Sequence, residues 1–259
     1  MDITGGAAIV TGAGTGMGAA TARRFATLGC NVVVNCPIGG EDAAATVAAC
    51  ETAGASAVLV KGDVTSDADC RALAQAAMDR WGRIDALVNC AGITRFVAHD
   101  DLDGLDKQDF HDIYDVNVVG GFQTIRAVAP HMKQAGRGAI VNIASTAGLD
   151  GAGSSVAYAA SKGAVITMTK SLARALAPEI RVNCICPGFV ATGWVTRGLG
   201  ADGFERTKAN FDQMLPLKRS GTADDIANAA VWICTSADFM TGEAMLLDGG
   251  QRLGINATI

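Results

Sequence analysis

Residues 11–18 read Thr11-Gly12-Ala13-Gly14-Thr15-Gly16-Met17-Gly18, directly after an apolar run and before a segment of helical period. In a turn between a strand and a helix, backbone N–H groups and the positive end of the helix can meet a phosphate, and glycines allow close approach. We therefore predict a pyrophosphate-binding turn with contacts from Gly12, Gly16 and Gly18. Short glycine motifs also occur in ordinary turns, so the rest of the chain has to support this interpretation.

Short runs rich in Val, Ile and Leu alternate with Ala-rich segments of helical period along the chain. This alternation is typical of βα units around a parallel sheet. The predicted strands are 7–11, 31–35, 57–61, 86–89, 139–144, 181–186 and 244–247. The predicted helices are 17–28, 41–53, 67–81, 107–134, 155–177 and 223–235. We expect one Rossmann-like, doubly wound α/β domain over 1–259, with a seven-stranded parallel sheet and ligands at the carboxyl ends of the strands.

Composition excludes several classes of function. The formal net charge of −5 comes without a basic cluster interleaved with aromatic residues, so we expect no nucleic-acid partner. The first residues have no basic region followed by an apolar one, and no apolar run reaches the roughly 20 residues that span a bilayer. We expect a cytoplasmic protein without membrane contact. The eight cysteines are scattered and lack metal-ligand spacing, which predicts reduced thiols and no metal site.

Further motifs follow the glycine turn in a recognisable order. The spacing Thr-Gly-x-x-x-Gly-x-Gly resembles the signature of the short-chain dehydrogenase/reductase family. The resemblance continues through Asp63-Val64, Asn89-Cys90-Ala91-Gly92, Asn117, Ser145, Tyr158-x-x-x-Lys162, Pro187-Gly188 and Asp248-Gly249-Gly250. The resemblance covers nearly the whole chain, and within the family the chain is similar to the 3-oxoacyl-[acyl-carrier-protein] reductases and glucose 1-dehydrogenases. It implies an NAD(P)-dependent oxidoreductase that moves a hydride between nicotinamide and a carbonyl compound or alcohol.

The resemblance also implies a set of cofactor-binding residues. Asp63 would hold the adenine amino group, Val64 would bond the ring through its backbone, and Asn89 would support the central sheet. The complete predicted set is Gly12, Gly14, Thr15, Gly16, Met17, Gly18, Asn35, Cys36, Asp63, Val64, Asn89, Ala91, Gly92, Tyr158, Lys162, Pro187, Gly188, Val190 and Thr192.

Tyr158 and Lys162 are four residues apart, so on a helix both side chains project from one face. A phenol with a pKa of about 10 is a poor base at neutral pH, and a nearby Lys⁺ stabilises its phenolate. Ser145 precedes Tyr158 at the end of a strand, and its hydroxyl can reach the same carbonyl oxygen. The resemblance implies that Tyr158 donates the proton, Ser145 polarises the carbonyl, and Lys162 lowers the pKa of Tyr158 and binds the ribose. It also implies that Asn117 bends its helix and holds a water.

The cofactor is NADP or NAD. Many NAD enzymes place an acid about twenty residues beyond the glycine turn to bond the ribose 2′-hydroxyl, but here that position is Cys36. The missing carboxylate removes repulsion toward a 2′-phosphate, although neither Thr15 nor Pro37 supplies an arginine. We favour NADP.

The predicted substrate residues are Arg95, Phe96, Ser145, Gly153, Tyr158 and Trp194. The segment 188–216 breaks the alternation with glycines among large apolar residues, and we interpret it as a lid with one or two short helices. A ketone, a sugar, a steroid and a 3-oxoacyl thioester all remain open as substrates.

Two other functions are compatible with parts of the pattern. A catalytically silent dinucleotide sensor would use the same fold, and an epimerase or dehydratase would use the same Tyr-Lys pair. For assembly we expect a homotetramer, a dimer of dimers, in which second apolar faces of the helices 107–134 and 155–177 pack across a two-fold axis, as the family resemblance implies. The alternative is that the sheet and neighbouring helices of one subunit cover both faces.

Overall fold

The computed structural model describes residues 1–253; the predicted single domain also includes 254–259, which lie outside the described residues. Within residues 1–253 the strands form one parallel sheet in the order β3-β2-β1-β4-β5-β6-β7. The strands are β1 Ala7–Thr11, β2 Asn31–Cys36, β3 Ala57–Lys61, β4 Ala86–Asn89, β5 Gly138–Ile143, β6 Ile180–Pro187 and β7 Ala244–Leu247. The predicted fold class is confirmed, and the strand bounds differ by at most one residue at an end.

The helices are α1 Gly16–Ala26, α2 Glu41–Thr52, α3 Asp67–Trp81, α4 Lys107–Tyr114, α5 Gly121–Gln134, α6 Ala147–Asp150, α7 Val156–Leu176, α8 Gly193–Met214 and α9 Ala223–Thr235. Short 3₁₀ turns occupy Leu102–Gly104 and Gln251–Leu253. None of the helices in the described part of the chain is long and apolar enough to cross a membrane.

Alternate residues of the central strands face opposite helical layers, because successive side chains of a strand point to opposite sides. In β1, Ala8 and Val10 pack with the α1 and α9 layer, where Phe25 is fully buried. Ile9 packs with the α3 and α5 layer, where Leu73 is buried. The sheet is therefore covered on both faces, and the chain's return from edge strand β3 to β4 beside β1 opens a crevice at the carboxyl ends of these two strands.

The prediction of one continuous helix over 107–134 is wrong in the middle of that range. A π-helical turn, Asp115–Gly120, separates α4 from α5. The wider turn is typical of functional positions in helices, and here it contains Asn117, whose side chain is fully engaged outside its own helix.

Within 188–216, α8 consists of two helical pieces that meet at Gly200, where φ is +72° and the backbone is not helical. One or two helices were expected here, and the second piece, 201–214, is longer than the expected short helix. The short helix α6 was not predicted. It lies where three glycines in 148–153 had indicated a loop.

Candidate active site

The glycine turn closely approaches the β4 end of the sheet. A Cβ on Gly12, whose φ is +62°, would lie 2.8 Å from the Cα of Ala91, and a Cβ on Gly18 would overlap the carbonyl oxygen of Gly12. The Thr11 hydroxyl accepts hydrogen bonds from the backbone N–H groups of Cys90 and Ala91, each at 3.1 Å. The turn therefore needs glycine at these positions and is fixed to the loop after β4.

A cleft of about 540 Å³ runs from this turn across the strand ends to α7, with the start of α8 on its other side. Its walls contain most of the predicted cofactor residues: Gly12, Gly14, Thr15, Gly16, Met17, Gly18, Cys36, Ala91, Gly92, Tyr158, Lys162 and Thr192. Side chains at the glycines would fill the space a phosphate-bearing ligand needs. The cradle therefore fits a dinucleotide cofactor.

The remaining predicted cofactor residues do not line the cleft. The side chain of Asn35 instead forms hydrogen bonds inside the sheet. Its buried amide donates to the carbonyl oxygens of Val60 and Gly62, at 3.2 and 2.9 Å. This side chain joins β2 to the end of β3.

Asn89 supports the sheet, as the resemblance implied. Its amide nitrogen donates to the Gly121 carbonyl and to Asn142 Oδ1, at 3.2 and 3.0 Å. Its oxygen accepts from the Thr124 hydroxyl at 2.6 Å.

Asp63 is exposed, and its carboxylate accepts from the backbone N–H and the hydroxyl of Thr65, at 2.9 and 2.8 Å. The buried Val64 carbonyl accepts from the Gln123 side chain at 2.8 Å. These bonds fix the loop after β3 at the sheet edge.

Pro187 ends β6, and the Gly188 N–H donates to the Leu247 carbonyl at 3.0 Å. Val190 is buried in the core and forms a backbone bridge with Gly221. The connection to the lid is therefore held by neighbouring backbone on both sides.

Tyr158 and Lys162 lie on α7 and are almost fully buried, with 7% and 5% of their surface exposed. The Lys162 Nζ donates to the Ile143 carbonyl at 2.9 Å and lies 5.5 Å from the centroid of the Tyr158 ring. The helix begins at a cap in which the Ser155 hydroxyl accepts from the Tyr158 N–H. The cap fixes the start of α7, and the Ile143 carbonyl holds the Lys162 ammonium group at the wall of the cleft.

The pKa values of this pair are governed by burial. Loss of water raises the pKa of Tyr158, and hydrogen bonding with Ser145 only partly opposes that shift. Burial lowers the pKa of Lys162 to about 8. Desolvation of the phenolate is therefore the largest influence on the pKa of Tyr158 in this structure, and the lowering of that pKa by Lys162 stays a prediction.

Asn117 joins three segments at the back of the site. Its amide donates to the Ile93 carbonyl and the Ser161 hydroxyl, each at 3.0 Å, and its oxygen accepts from the Ile93 N–H at 2.8 Å. A Cβ on Gly92 would lie 3.2 Å from that oxygen and 3.6 Å from Lys162 Nζ. The local departure from α-helical geometry expected at Asn117 is present as the π turn.

A second cavity, of about 590 Å³, adjoins the cleft at Ser145. Its lining carries no charged side chain and consists of Phe96, Val97, Ala98, Ser145, Thr146, Ala147, Ala152, Gly153, Ser154, Gly188, Phe189, Val195, Leu199, Thr207, Phe211 and Gln251. Such a surface suits a neutral, largely apolar ligand held by few polar contacts.

The predicted substrate residues divide between the two spaces. Phe96, Ser145 and Gly153 line the cavity. Trp194 lines the cleft with its ring edge against Tyr158, at 5.6 Å between centroids. Arg95 lines neither, because it is exposed and paired with Asp109.

Sequence reasoning expected the segment 188–216 to cover the site but did not name the residues of this segment that line the cavity. Val195 and Leu199 come from α8, and Phe189 stacks on Phe211 at 4.4 Å between ring centroids. The signal was present as large apolar residues among the glycines of 188–216. Their helical spacing was hidden by Gly200, which breaks the period.

Comparisons with known proteins agree with this geometry. Residues 12–252 match the family model described as "Enoyl-(Acyl carrier protein) reductase". The chain is 39% identical to the short-chain reductase protein NovJ of Streptomyces niveus, over 94% of this chain and 93% of that protein. It is 35% identical to a 3-oxoacyl-[acyl-carrier-protein] reductase of Synechocystis sp., over 96% and 98% of the two chains.

Among solved structures, the chain is similar to a Burkholderia xenovorans protein described as a short-chain dehydrogenase/reductase. The two share 40% identity and a TM-score of 0.88, with 96% of this chain and 98% of the other covered.

Proposed function

The chain belongs to the short-chain dehydrogenase/reductase family, whose members are oxidoreductases for CH–OH and C=O groups with a nicotinamide-type cofactor, and we propose that this member reduces a neutral, largely apolar ketone. One observation carries the proposal. Tyr158 and Lys162 line the cofactor cleft together with Ala144, and the next residue in the chain, Ser145, lines the adjoining apolar cavity.

Tyr158 is the proton donor in this proposal. Burial keeps its phenol protonated, which is the form a carbonyl reduction needs. The Ser145 hydroxyl orients the carbonyl oxygen and stabilises the negative charge that develops on it. When bound, the nicotinamide supplies the hydride.

Lys162 has two roles. Its ammonium group would hold the nicotinamide ribose, and a lysine that titrates near pH 8 can also replace the proton that Tyr158 gives away. We assign Asn117 a positioning role, because it fixes the loop after β4 against α7.

We propose NADP as the preferred cofactor. Cys36 offers no carboxylate to the adenosine ribose, and the Lys61 ammonium lies beside Gly39 in the loop after β2. Asp42 at the same end of the cleft opposes this preference, so the discrimination should be modest.

The chemistry of the cavity orders the candidate substrates. A sugar would leave several hydroxyls without partners against Phe96, Val195 and Leu199, at a cost of about 1–3 kcal/mol for each buried unpaired group. A steroid-like ketone or the acyl part of a 3-oxoacyl thioester would instead bury apolar surface there. We therefore place sugars last.

The lid and the assembly remain proposals. We assign 188–216 the role of a lid, because α8 contributes to both the cleft and the cavity. We propose a single domain over 1–259 and a cytoplasmic homotetramer. Support for the tetramer comes from apolar side chains that are one-third to one-half exposed along α4, the π turn and α5, at Phe110, Val119 and Phe122.

The test is oxidation of NADPH and of NADH, followed in parallel with a matched panel of 2-decalone, 2-tetralone, ethyl acetoacetate and glucono-lactone. We expect turnover of the bicyclic ketones with NADPH and none of the lactone. Binding without oxidation across the panel would favour the silent sensor. A substrate isomerised or dehydrated without net cofactor consumption would favour the epimerase or dehydratase.

A further inference from the structure

The glycine-turn end of the cofactor cleft has few charged side chains. The glycine turn from Thr11 to Gly18 carries no ionisable side chain. Two cations line the cleft, Lys162 and Arg197. Lys162 is held at the far end by the Ile143 carbonyl, so its charge serves the nicotinamide end. Neutralisation of a pyrophosphate therefore falls to backbone N–H groups and to Arg197.

Arg197 lies close to the glycine turn although it belongs to the lid. The Thr192 side chain is 3.8 Å from the position that a Cβ on Gly16 would occupy. The Nη1 of Arg197 is 3.8 Å from the corresponding position on Gly193, the next residue. The guanidinium group therefore folds back along the first turn of α8, beside the contact between the lid and the turn.

This guanidinium group is not neutralised by a neighbour. None of the carboxylates in residues 1–253 lies within 4 Å of Arg197, whereas the exposed Arg95 and Arg219 are each paired with an aspartate. A guanidinium group without a carboxylate partner on the wall of the cleft can form paired hydrogen bonds to phosphate oxygens.

We infer that Arg197 binds the cofactor pyrophosphate. This rests on the proposed function only in that the nicotinamide cofactor occupies this cleft.

The test is calorimetric titration of Arg197→Ala with NADPH, NADH, ADP-ribose and AMP. We expect the Kd to rise about tenfold or more for the three ligands with a pyrophosphate, the usual effect of removing a charge-assisted contact. AMP, which has a single phosphate, should bind nearly unchanged. Arg197→Lys should show an intermediate loss. Arg206→Ala, an exposed arginine of the same helix outside the cleft lining, is the matched control.

Each outcome distinguishes this inference from the function it rests on. Wild-type binding with an unchanged Kd in Arg197→Ala, or a change equal to that of Arg206→Ala, overturns the role of Arg197 and leaves the reductase proposal intact. A loss for NADPH alone also overturns it, because it would place Arg197 on the 2′-phosphate. Failure of the wild-type protein to bind any of the dinucleotides would overturn the proposed function itself.

Discussion

Tyr158 and Lys162 illustrate how far single residues can be predicted. Their spacing predicts one helix face, because residues four apart are neighbours on a helix. Their pKa values depend on tertiary structure, because packing in the folded chain removes both groups from water and this burial is the largest cause of both shifts. The spacing therefore predicts that Tyr158 and Lys162 are neighbours, but it does not predict that both side chains are removed from water.

Tyr158→Phe should lower turnover of a confirmed ketone by at least about a hundredfold, the usual contribution of a positioned proton donor. Cofactor affinity and unfolding temperature should stay close to wild type, because only the hydroxyl is lost. Steady-state kinetics and calorimetry check both. Tyr114→Phe, at the other tyrosine of the chain, is the control. Near-normal turnover in Tyr158→Phe would remove this residue from the chemistry.

Lys162→Met should change the pH dependence of stability. The pKa of Lys162 is about 8 in the folded protein against a normal value of 10.5. Between these values the unfolded chain binds more protons, so the free energy of unfolding of the wild type rises with pH in this window. We expect it to rise by about 2 kcal/mol relative to Lys162→Met between about pH 7 and 9.5.

Urea unfolding of both proteins at the two pH values measures this difference, and other titrating groups cancel between them. A difference that stays constant with pH would mean that Lys162 is not desolvated as described.

Cys36→Asp should shift cofactor preference toward NAD. A carboxylate there would accept hydrogen bonds from the ribose hydroxyls and repel a 2′-phosphate. The Sγ of Cys36 lies 3.0 Å from where a Cβ on Gly14 would be, so the new group would face the cleft. The ratio of the Kd values for NADPH and NADH is the measurement, with Cys36→Ser as the control. An unchanged ratio would show that Cys36 does not face the ribose.

Among the elements, the strands were the most predictable, because runs of β-branched residues bounded by turn residues mark them directly. The interval 107–134 was not, since its apolar period continues through the π turn. Tertiary hydrogen bonds stabilise the π turn, because Asn117 bonds to Ile93 and Ser161, which are distant in sequence. In 188–216, Gly200 leaves the helical conformation and divides α8 into two pieces, which agrees with the one or two helices expected from the glycines of this segment.

Gly198→Ala should disturb the lid. A Cβ at Gly198 would overlap the ring of Phe96, which lines the apolar cavity. Overpacking of this kind costs about 1–3 kcal/mol, so we expect KM for an apolar ketone to rise roughly tenfold or more while cofactor affinity changes little.

Phe96→Ala removes the group that a Cβ at Gly198 would strike. In that background Gly198→Ala should have little further effect on KM, which makes a double-mutant cycle the sharpest measurement. Additive effects of the two substitutions would contradict direct contact between them.

At the scale of the whole molecule, the apolar faces of α5 and α7 exceed what one chain covers. Val119 and Phe122 are 43% and 40% exposed, and Ala164, Met168, Leu172 and Leu176 of α7 are only half-buried. Composition predicts this excess, but only the packed structure identifies the uncovered side chains. Self-association across a two-fold axis would bury them.

Sedimentation at micromolar concentration should therefore give four times the 26.4 kDa of one chain. A charge placed on the π turn by Val119→Arg or on α5 by Phe122→Arg should leave a dimer or monomer. Ile38→Arg, at an exposed apolar residue outside α5 and α7, should keep the wild-type mass. A monomeric wild-type protein would contradict the assembly.

The most direct test of the central claim is transfer of deuterium to a bicyclic ketone such as 2-decalone from NADPH that carries deuterium at both C4 positions of its dihydronicotinamide ring. Mass spectrometry of the alcohol should find one deuterium on the carbinol carbon with the wild-type enzyme, and at least about a hundredfold less labelled alcohol per unit time with Tyr158→Phe. Alcohol formed without deuterium, or no labelled alcohol from any ketone of the panel despite bound cofactor, would contradict reduction by direct hydride transfer at Ser145, Tyr158 and Lys162.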